Sequence, residues 1–448
     1  VIAVPADRLT PAEAARRAAA APGAFWLSAP AADKAADESK VARDLVGAGP
    51  IATVRGTTSG DLARLEQAWG EARAAWREQG EVPGGVPVAV GWLSYELGRR
   101  LVGLAPRDVD HPLFEFHFND AVWVRDQTDA PTIFARDTGA AERLAELLSG
   151  ALPTEPPRLG ALEAVHPEEA FLDGVGRILD YLQAGDAYQV NLSRRLRASC
   201  TAGDPTFLAA ALRAGAPAPH GAFIAAADTG PDAVTILGNS PERFLSLSAG
   251  GVVETRPIKG TRPRGADAAA DQAAAAELSS AVKDRAEHVM IVDLERNDLG
   301  RVCRAGSVEV ASLARVVSLP TVHHLISTVR GQLRPEVGLA ALLAATFPGG
   351  SVTGAPKRRA MQIIDELEPS PRGVYTGATG WLGAAGDLDL AIAIRTAVLR
   401  GGELNLSVGG GIVVDSTPEG ELRETEVKAR AFAALCGARP ERQPPPPR

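Results

Sequence analysis

Lys259 stands in the run Thr255-Arg256-Pro257-Ile258-Lys259-Gly260-Thr261-Arg262-Pro263-Arg264, one lysine among three arginines. Positive neighbours disfavour an ammonium, so an amine in such company is predisposed to shed its proton and act as a nucleophile. Taken alone, the same run also describes an exposed basic loop. A second constellation is built from carboxylates. Glu421, Glu424 and Lys428 follow one another at i, i+3 and i+7, which puts two acids and an amine on one helical face. Glu287 comes four residues after Lys283 in another helical stretch. Hard divalent cations bind oxygen, and magnesium takes one or two carboxylates together with waters and substrate oxygens. Each helix by itself equally describes a solvated face with ordinary ion pairs, and spacing does not join the two.

Other candidate motifs fail on their geometry. Gly349-Gly350-Ser351-Val352-Thr353-Gly354-Ala355-Pro356-Lys357 places Ala355 and Pro356 where a phosphate loop needs lysine directly after glycine. Gly238-Asn239-Ser240-Pro241-Glu242 lacks the closing glycine of a nucleophile elbow. His323-His324 has no third metal ligand nearby. Cys200, Cys303 and Cys436 lie too far apart in sequence for a metal motif or a disulfide framework. The net charge of −8 argues against nucleic acid, which needs a basic face. No apolar run approaches the ~18 residues of a membrane span, and no apolar signal core is seen, so a soluble cytoplasmic protein is expected. Only six residues are lysine: Lys34, Lys40, Lys259, Lys283, Lys357 and Lys428. In a chain that otherwise favours arginine, the last four all fall within dense motifs. Lysine, unlike arginine, can lose its proton when buried.

The elements that position these residues follow from periodicity. Strand-like runs are expected at Val86–Leu93, Ala121–Val124, 234–237 and 252–258. Phe171, Val175, Ile178, Leu179 and Leu182 recur at helical spacing, with Gly185 as a stop. Ala281–Leu294 and 420–436 are expected to be helical. Residues 307–333 and 379–414 are strand-rich, with hairpin turns at Gly386-Asp387 and Gly401-Gly402. Sheets and helices in separate runs, without a βαβ alternation, predict an α+β fold with large antiparallel sheets between outer helices. The prolines at 153, 156, 157 and 167 mark a connection. The expected division is an N-terminal region over 1–155, a catalytic region over 166–438, and a disordered Pro-rich tail over 439–448.

From about His166 to Ala438 the chain resembles the chorismate-utilising enzymes: anthranilate synthase component I, aminodeoxychorismate synthase component I, and the isochorismate and salicylate synthases. The resemblance is carried by Tyr188-Gln189-Val190-Asn191-Leu192, Ser240-Pro241-Glu242-Arg243-Phe244, the Lys259 run, Lys283-Asp284-Arg285-Ala286-Glu287 and Asp293–Arg301. It continues through Pro320–Ser327, Gly350–Lys357, Ile394-Arg395-Thr396, Gly409-Gly410-Gly411-Ile412 and Glu421–Lys428. A weaker match lies at Gly91–Gly98. The resemblance implies an anthranilate synthase component I-like fold. At position 259 the anthranilate, isochorismate and salicylate enzymes usually carry Ala, and the aminodeoxychorismate synthases the Pro-Ile-Lys-Gly-Thr form present here.

What the resemblance implies chemically is specific. Lys259 attacks C2 of chorismate while Glu242, as general acid, helps the C4 hydroxyl depart. Ammonia then adds at C4 and expels the lysine, giving 4-amino-4-deoxychorismate on the route to p-aminobenzoate and folate. Mg²⁺ is held by Glu287 and Glu424, with Glu421 contributing through water. Arg395 and Lys428 hold the enolpyruvyl carboxylate, helped by Tyr375 and the backbone at Gly409 and Gly411, while His324 and Ser351 line the ring. No cysteine has the setting of a glutaminase nucleophile, so ammonia is expected from a separate glutamine amidotransferase. The competing readings are anthranilate synthase component I and a catalytically inactive chorismate-binding homologue.

Overall fold

The computed structural model describes residues 1–30, 41–78, 80–126, 130–153, 155–228, 230, 233–319 and 321–437. The tail expected at 439–448 lies outside them, as do Lys34 and Lys40. Two antiparallel sheets, one of twelve strands and one of ten, form the body of the chain. The expected α+β class is what is found, and the reason is visible in single strands. Phe25 and Leu27 project into one apolar core, whereas Trp26 between them projects into another. Leu45 and Val46, Val122 and Trp123, and Ile236 and Leu237 divide in the same way. Because successive side chains leave a strand on opposite faces, these strands are apolar on both sides. One face of the twelve-stranded sheet therefore meets the core shared with the ten-stranded sheet. The other meets the helices Pro11–Ala18, Thr138–Ser149, Thr206–Gly215 and Pro418–Leu435.

The amphipathic helix expected from Phe171 onward is Glu168–Gln183, and it buries Phe171, Val175 and Ile178 against Val190, Leu192 and Ile364. Pro87–Leu93, Ala121–Asp126 and Thr235–Ser240 are strands as expected. Both predicted turns close hairpins. Gly401 and Gly402 have φ of +56° and +78°, a left-handed pair that suits a two-residue connection. One expectation changes, and one open alternative is decided. The helix expected at Ala281–Leu294 runs Val282–Gly300, because extended backbone at Ala281 separates it from a preceding helix, Ala268–Ser280. The basic run around Lys259 is no loop. It forms the end of strand Val252–Arg256 and the strand Ile258–Pro263, both paired with Val322–Gln332.

Strands from the first 150 residues are hydrogen-bonded into both sheets alongside those that follow 166. The fastening between them is a buried ionic network. Arg372 donates to both oxygens of Glu368, to the carbonyls of Val352 and Asn191, and to the Thr376 hydroxyl. Its guanidinium lies 4.7 Å from the Tyr95 ring centroid. Glu96, next to that tyrosine, accepts the backbone N–H groups of Arg372 and Gly373. Such a network is held by complete pairing, and removing one member strands the others away from water. Arg372→Met is therefore expected to lower stability by about 3–5 kcal/mol, read as a fall in the denaturant midpoint.

Candidate active site

The two sheets exchange strands at neighbouring points, and the chemistry collects there. Thr235–Ser240 belongs to the twelve-stranded sheet and Arg243–Leu247 to the ten-stranded one, with Glu242 in the step between them. Arg395 occupies the return step, between Leu388–Ile392 and Thr396–Arg400. The steps are tied together: Ile392 N–H donates to the Glu242 carbonyl at 3.0 Å, and Asn239 N–H to the Arg395 carbonyl at 2.9 Å. Arg395 pays for its place with a left-handed backbone, φ +49°, an uncommon conformation for a residue with a side chain.

Lys259 projects from the strand Ile258–Pro263 into the same region. Its Nζ donates to Gln189 Oε1 at 3.1 Å and lies 3.9 Å from Glu287 Oε2. Burial lowers its pKa; Glu287 opposes this, and Lys428 adds to the fall. The arginines beside it in sequence are not the cause. Arg256 pairs with Glu254, Arg262 with Glu277 and Asp284, and Arg264 with Asp271. Lys259 approaches strand Glu403–Ile412 closely, and a Cβ on Gly411 would come within 2.9 Å of both the lysine amine and Gln189.

The helical face read from sequence exists on Pro418–Leu435. Glu424 is 2.7 Å from Lys428, and Glu421 accepts the Ser416 hydroxyl at 2.6 Å. Gly410 makes room for both acids, since a Cβ there would lie 2.9 Å from Glu421 Oε2 and 3.4 Å from Glu424 Oε1. Lys428 also donates to the Gly409 carbonyl at 2.6 Å. Glu287 faces this group from the helix Val282–Gly300. Burial raises Glu287, with Lys259 pulling the other way and Glu424 adding to the rise. Burial likewise raises Glu421, and Glu424 adds to it. Partial burial pushes Glu424 upward too, but Lys428 outweighs it and the net shift is down. No group of three His, Cys, Asp or Glu side chains converges into a ready-made metal cage among the described residues. The arrangement is instead a set of acids on two helices, in which Glu424 adds to the rise of both Glu287 and Glu421.

Glu242 is 5% exposed, and its pKa is raised to about 7. Burial is the main cause, resisted by the Ile258 N–H at 3.4 Å and by Lys259 and Lys428. The Ser351 hydroxyl makes no hydrogen bond of ordinary geometry, yet lies near enough to Glu242 to pull it downward as well. His324 bonds the Thr261 hydroxyl at 2.9 Å, and burial followed by Arg395 lowers it to about 4, so the ring is neutral near pH 7. His323 points to the other face of the strand, toward Asp271 and Ser318, which fits the failure of the pair as a metal motif. Glu242, Lys259, Glu287, His324, Ser351, Arg395, Gly409, Gly411, Glu421, Glu424 and Lys428 thus fall in one neighbourhood. Tyr375 has a different environment, its ring centroid 5.8 Å from the Arg372 guanidinium and its phenol raised by burial. Gln189 belongs to the Tyr188-Gln189-Val190-Asn191-Leu192 motif, and nothing in its spacing signals the contact with Lys259.

A two-sheet α+β body with a buried amine and opposed carboxylates at the strand exchange defines an enzyme-like site. The family of chorismate binding enzymes matches residues 24–434, and the chain belongs to that family. The chain is 49% identical over 250 residues to an aminodeoxychorismate synthase of Streptomyces pristinaespiralis, a match that takes in 56% of this chain and 34% of that protein. It thus spans about a third of that relative's length. It is 42% identical over 342 residues to aminodeoxychorismate synthase component 1 of Salmonella typhimurium, covering 75% of this chain and 74% of that one. Among solved structures, anthranilate synthase component I from Streptococcus pneumoniae superposes with a TM-score of 0.73 at 30% identity, over 90% of this chain and 95% of the other.

Burying Glu242 in this way has a consequence for stability. A carboxyl whose folded pKa exceeds its unfolded value binds more protons when folded, so its contribution to stability weakens as pH rises from about 4.5 to about 7. Glu242→Gln, which keeps an acceptor for Ile258, is expected to be more stable than the parent at pH 8 by up to roughly 3 kcal/mol. The difference should vanish near pH 4, and chemical denaturation at the two pH values checks it.

Proposed function

We propose that the chain aminates chorismate at C4 to 4-amino-4-deoxychorismate, with Lys259 as nucleophile and Glu242 as general acid. The observation that carries this reading is the Lys259 amine itself. It is largely buried and lowered in pKa, and it shares one neighbourhood with a carboxyl raised to about 7. A neutral amine and a protonated acid are the forms the reaction needs, and both shifts favour them near neutral pH. The amine nitrogen bonds to C2 as the C4–O bond breaks, and the hydroxyl takes the Glu242 proton and leaves as water. Ammonia then forms the new bond at C4, the C2–nitrogen bond breaks, and Glu242 regains a proton from the incoming nitrogen. The net change exchanges the hydroxyl and one ammonia for an amino group and water.

In this reading Arg395 and Lys428 pair with the substrate's enolpyruvyl carboxylate, a planar guanidinium being suited to two parallel bonds. The strand at Gly409 and Gly411 completes that end, while His324 and Ser351 line the ring. Glu287 and Glu424, with Glu421 through water, would hold Mg²⁺, which supplies positive charge that orients the second carboxylate and neutralises it beside these acids. Ammonia comes from a separate glutamine amidotransferase subunit. No helix among the described residues is long and apolar enough to cross a membrane, and the expected setting is the cytoplasm. The product's place is on the way to p-aminobenzoate and folate.

The alternative within the family is amination at C2 with loss of pyruvate, as in the anthranilate synthases. Lys259 speaks against it, because the anthranilate synthases usually carry Ala at this position. Incubation with chorismate, Mg²⁺ and ammonium salt is expected to yield 4-amino-4-deoxychorismate, identified by mass and ultraviolet spectrum. Glutamine without a partner should yield nothing. Lys259→Ala should slow C4 amination by at least about a hundredfold. Anthranilate or isochorismate as the product of the parent chain would overturn the assignment.

A further inference from the structure

A second buried carboxyl in this neighbourhood has no part in the scheme above. Glu295, on the helix Val282–Gly300, is 4% exposed. Its Oε1 accepts the Gly350 N–H at 3.1 Å, and its Oε2 accepts the Thr255 hydroxyl at 3.2 Å. Gly350 precedes Ser351, whose hydroxyl lies near Glu242. Thr255 is three residues ahead of Ile258, whose N–H Glu242 accepts. Glu242 and Glu295 thus engage the same two backbone segments. The fit at Gly350 is tight, for a Cβ there would come within 3.2 Å of Glu295 Oε1 and 2.6 Å of the Leu294 side chain.

The surrounding charges make this placement informative. Around Glu295 are Asp298 on its own helix, Lys357 at the start of helix Lys357–Leu367, and Glu242 at the strand exchange. Lys357 is already engaged, 2.5 Å from Asp298 and bonded to the Thr346 carbonyl, while both donors to Glu295 are neutral. Burial is the main force raising Glu295, and the charges of Asp298 and Glu242 add to it against Lys357. Around Glu242 the balance is the reverse, because Lys259, Lys428 and Arg395 all favour its ionised form. Burial is what chiefly keeps the proton on Glu242 against these cations, and an interaction between two carboxyls acts equally on both.

We propose that Glu295 is a positioning residue for the Glu242 acid, fixing the Gly350–Ser351 backbone beside it and coupled to it so that ionisation of either carboxyl holds the proton on the other. This rests on the reading of Glu242 as the group that protonates the departing hydroxyl, and it adds a residue that touches no substrate. The test is isotope-edited infrared titration of the full chain labelled with ¹³C-glutamate, the Glu242 band being assigned by its loss in Glu242→Gln. Glu295→Gln keeps an acceptor for Gly350 and removes the charge. It is expected to lower the Glu242 midpoint by about one pH unit. In the parent chain, Glu242 should titrate in two steps, as a coupled group does. In steady-state amination, the limb of the kcat profile set by Glu242 should move to lower pH in Glu295→Gln, with little change in KM for chorismate. A purely structural role would reduce kcat without moving the limb. An unchanged Glu242 midpoint in the variant, or a single-step titration in the parent, overturns the proposal. If the variant does not fold, the parent titration decides alone. The titration needs no turnover, so a parent chain that forms a different product refutes the C4 assignment while the coupling is still judged by its own curve.

Discussion

An amine cannot be taken out of water near a lone carboxylate and remain a useful nucleophile; the balance of charge around it must be set from several sides at once. Lys259 depends on this constraint. Glu287 reaches it from the helix Val282–Gly300, which packs on the ten-stranded sheet. Glu424 and Lys428 reach the same region from Pro418–Leu435, which packs on strand Glu403–Ile412 of the other sheet. Gln189 comes from a third direction, the strand Gln189–Ser199. Each sheet alone would present an unbalanced set of charges. Their joint closure gives an amine held low by burial and a group of acids held apart by two lysines. The closeness is achieved by subtraction, since Gly410 and Gly411 remove the Cβ atoms that would push the acids and the amine away.

The strand exchange explains why Glu242 and Arg395 lie side by side although 153 positions of sequence order separate them. A chain that steps from one sheet to the other and later returns beside the same step leaves two short unpaired stretches in the interior. Their backbone groups satisfy each other, as the Ile392–Glu242 and Asn239–Arg395 bonds do, which frees the side chains for chemistry. Arg372 secures the surroundings. It bonds the carbonyl of Val352, next to Ser351, and that of Asn191, which pairs across the sheet with Gly411. The same guanidinium therefore steadies both walls of the site and the link to Tyr95 and Glu96. That function suits arginine, whose planar fork serves several acceptors at once without losing its charge.

How much of this could be read from residues alone varies with the kind of information. Helix Glu168–Gln183 and the face bearing Glu421, Glu424 and Lys428 were legible because helical period is a local property. So were the Gly401-Gly402 hairpin and the strand at Pro87–Leu93. Much of the first 150 residues was less legible, since strands such as Phe25–Pro30 are buried on both faces and carry no alternation to read. The Lys259 run misled in an instructive way. Three arginines predicted both an exposed loop and a cause for a depressed pKa. Each of them pairs with a carboxylate, and the amine is depressed by burial instead. Sequence spacing also could not bring Gln189 to Lys259 or Glu295 to Gly350. Those contacts depend on sheet register and helix docking, which are long-range.

Lysine at the other motif positions shows the same economy of charge. At position 357 an ammonium bonds both Asp298 and the Thr346 carbonyl. At position 428 it divides its bonds between Glu424 and the Gly409 carbonyl. Lysine is a point charge on a flexible stem, so each places one unit of charge without imposing a plane. The acids are treated conversely. Glu242 is buried without an ion-pair partner of its own, so burial dominates and its proton is retained, whereas Glu424 is 52% exposed and paired, so it stays ionised. Two glutamates that are identical in sequence terms are thereby set to opposite states by what surrounds them. In the proposed chemistry, it is this difference in surroundings that would separate a proton donor from a metal ligand within one site.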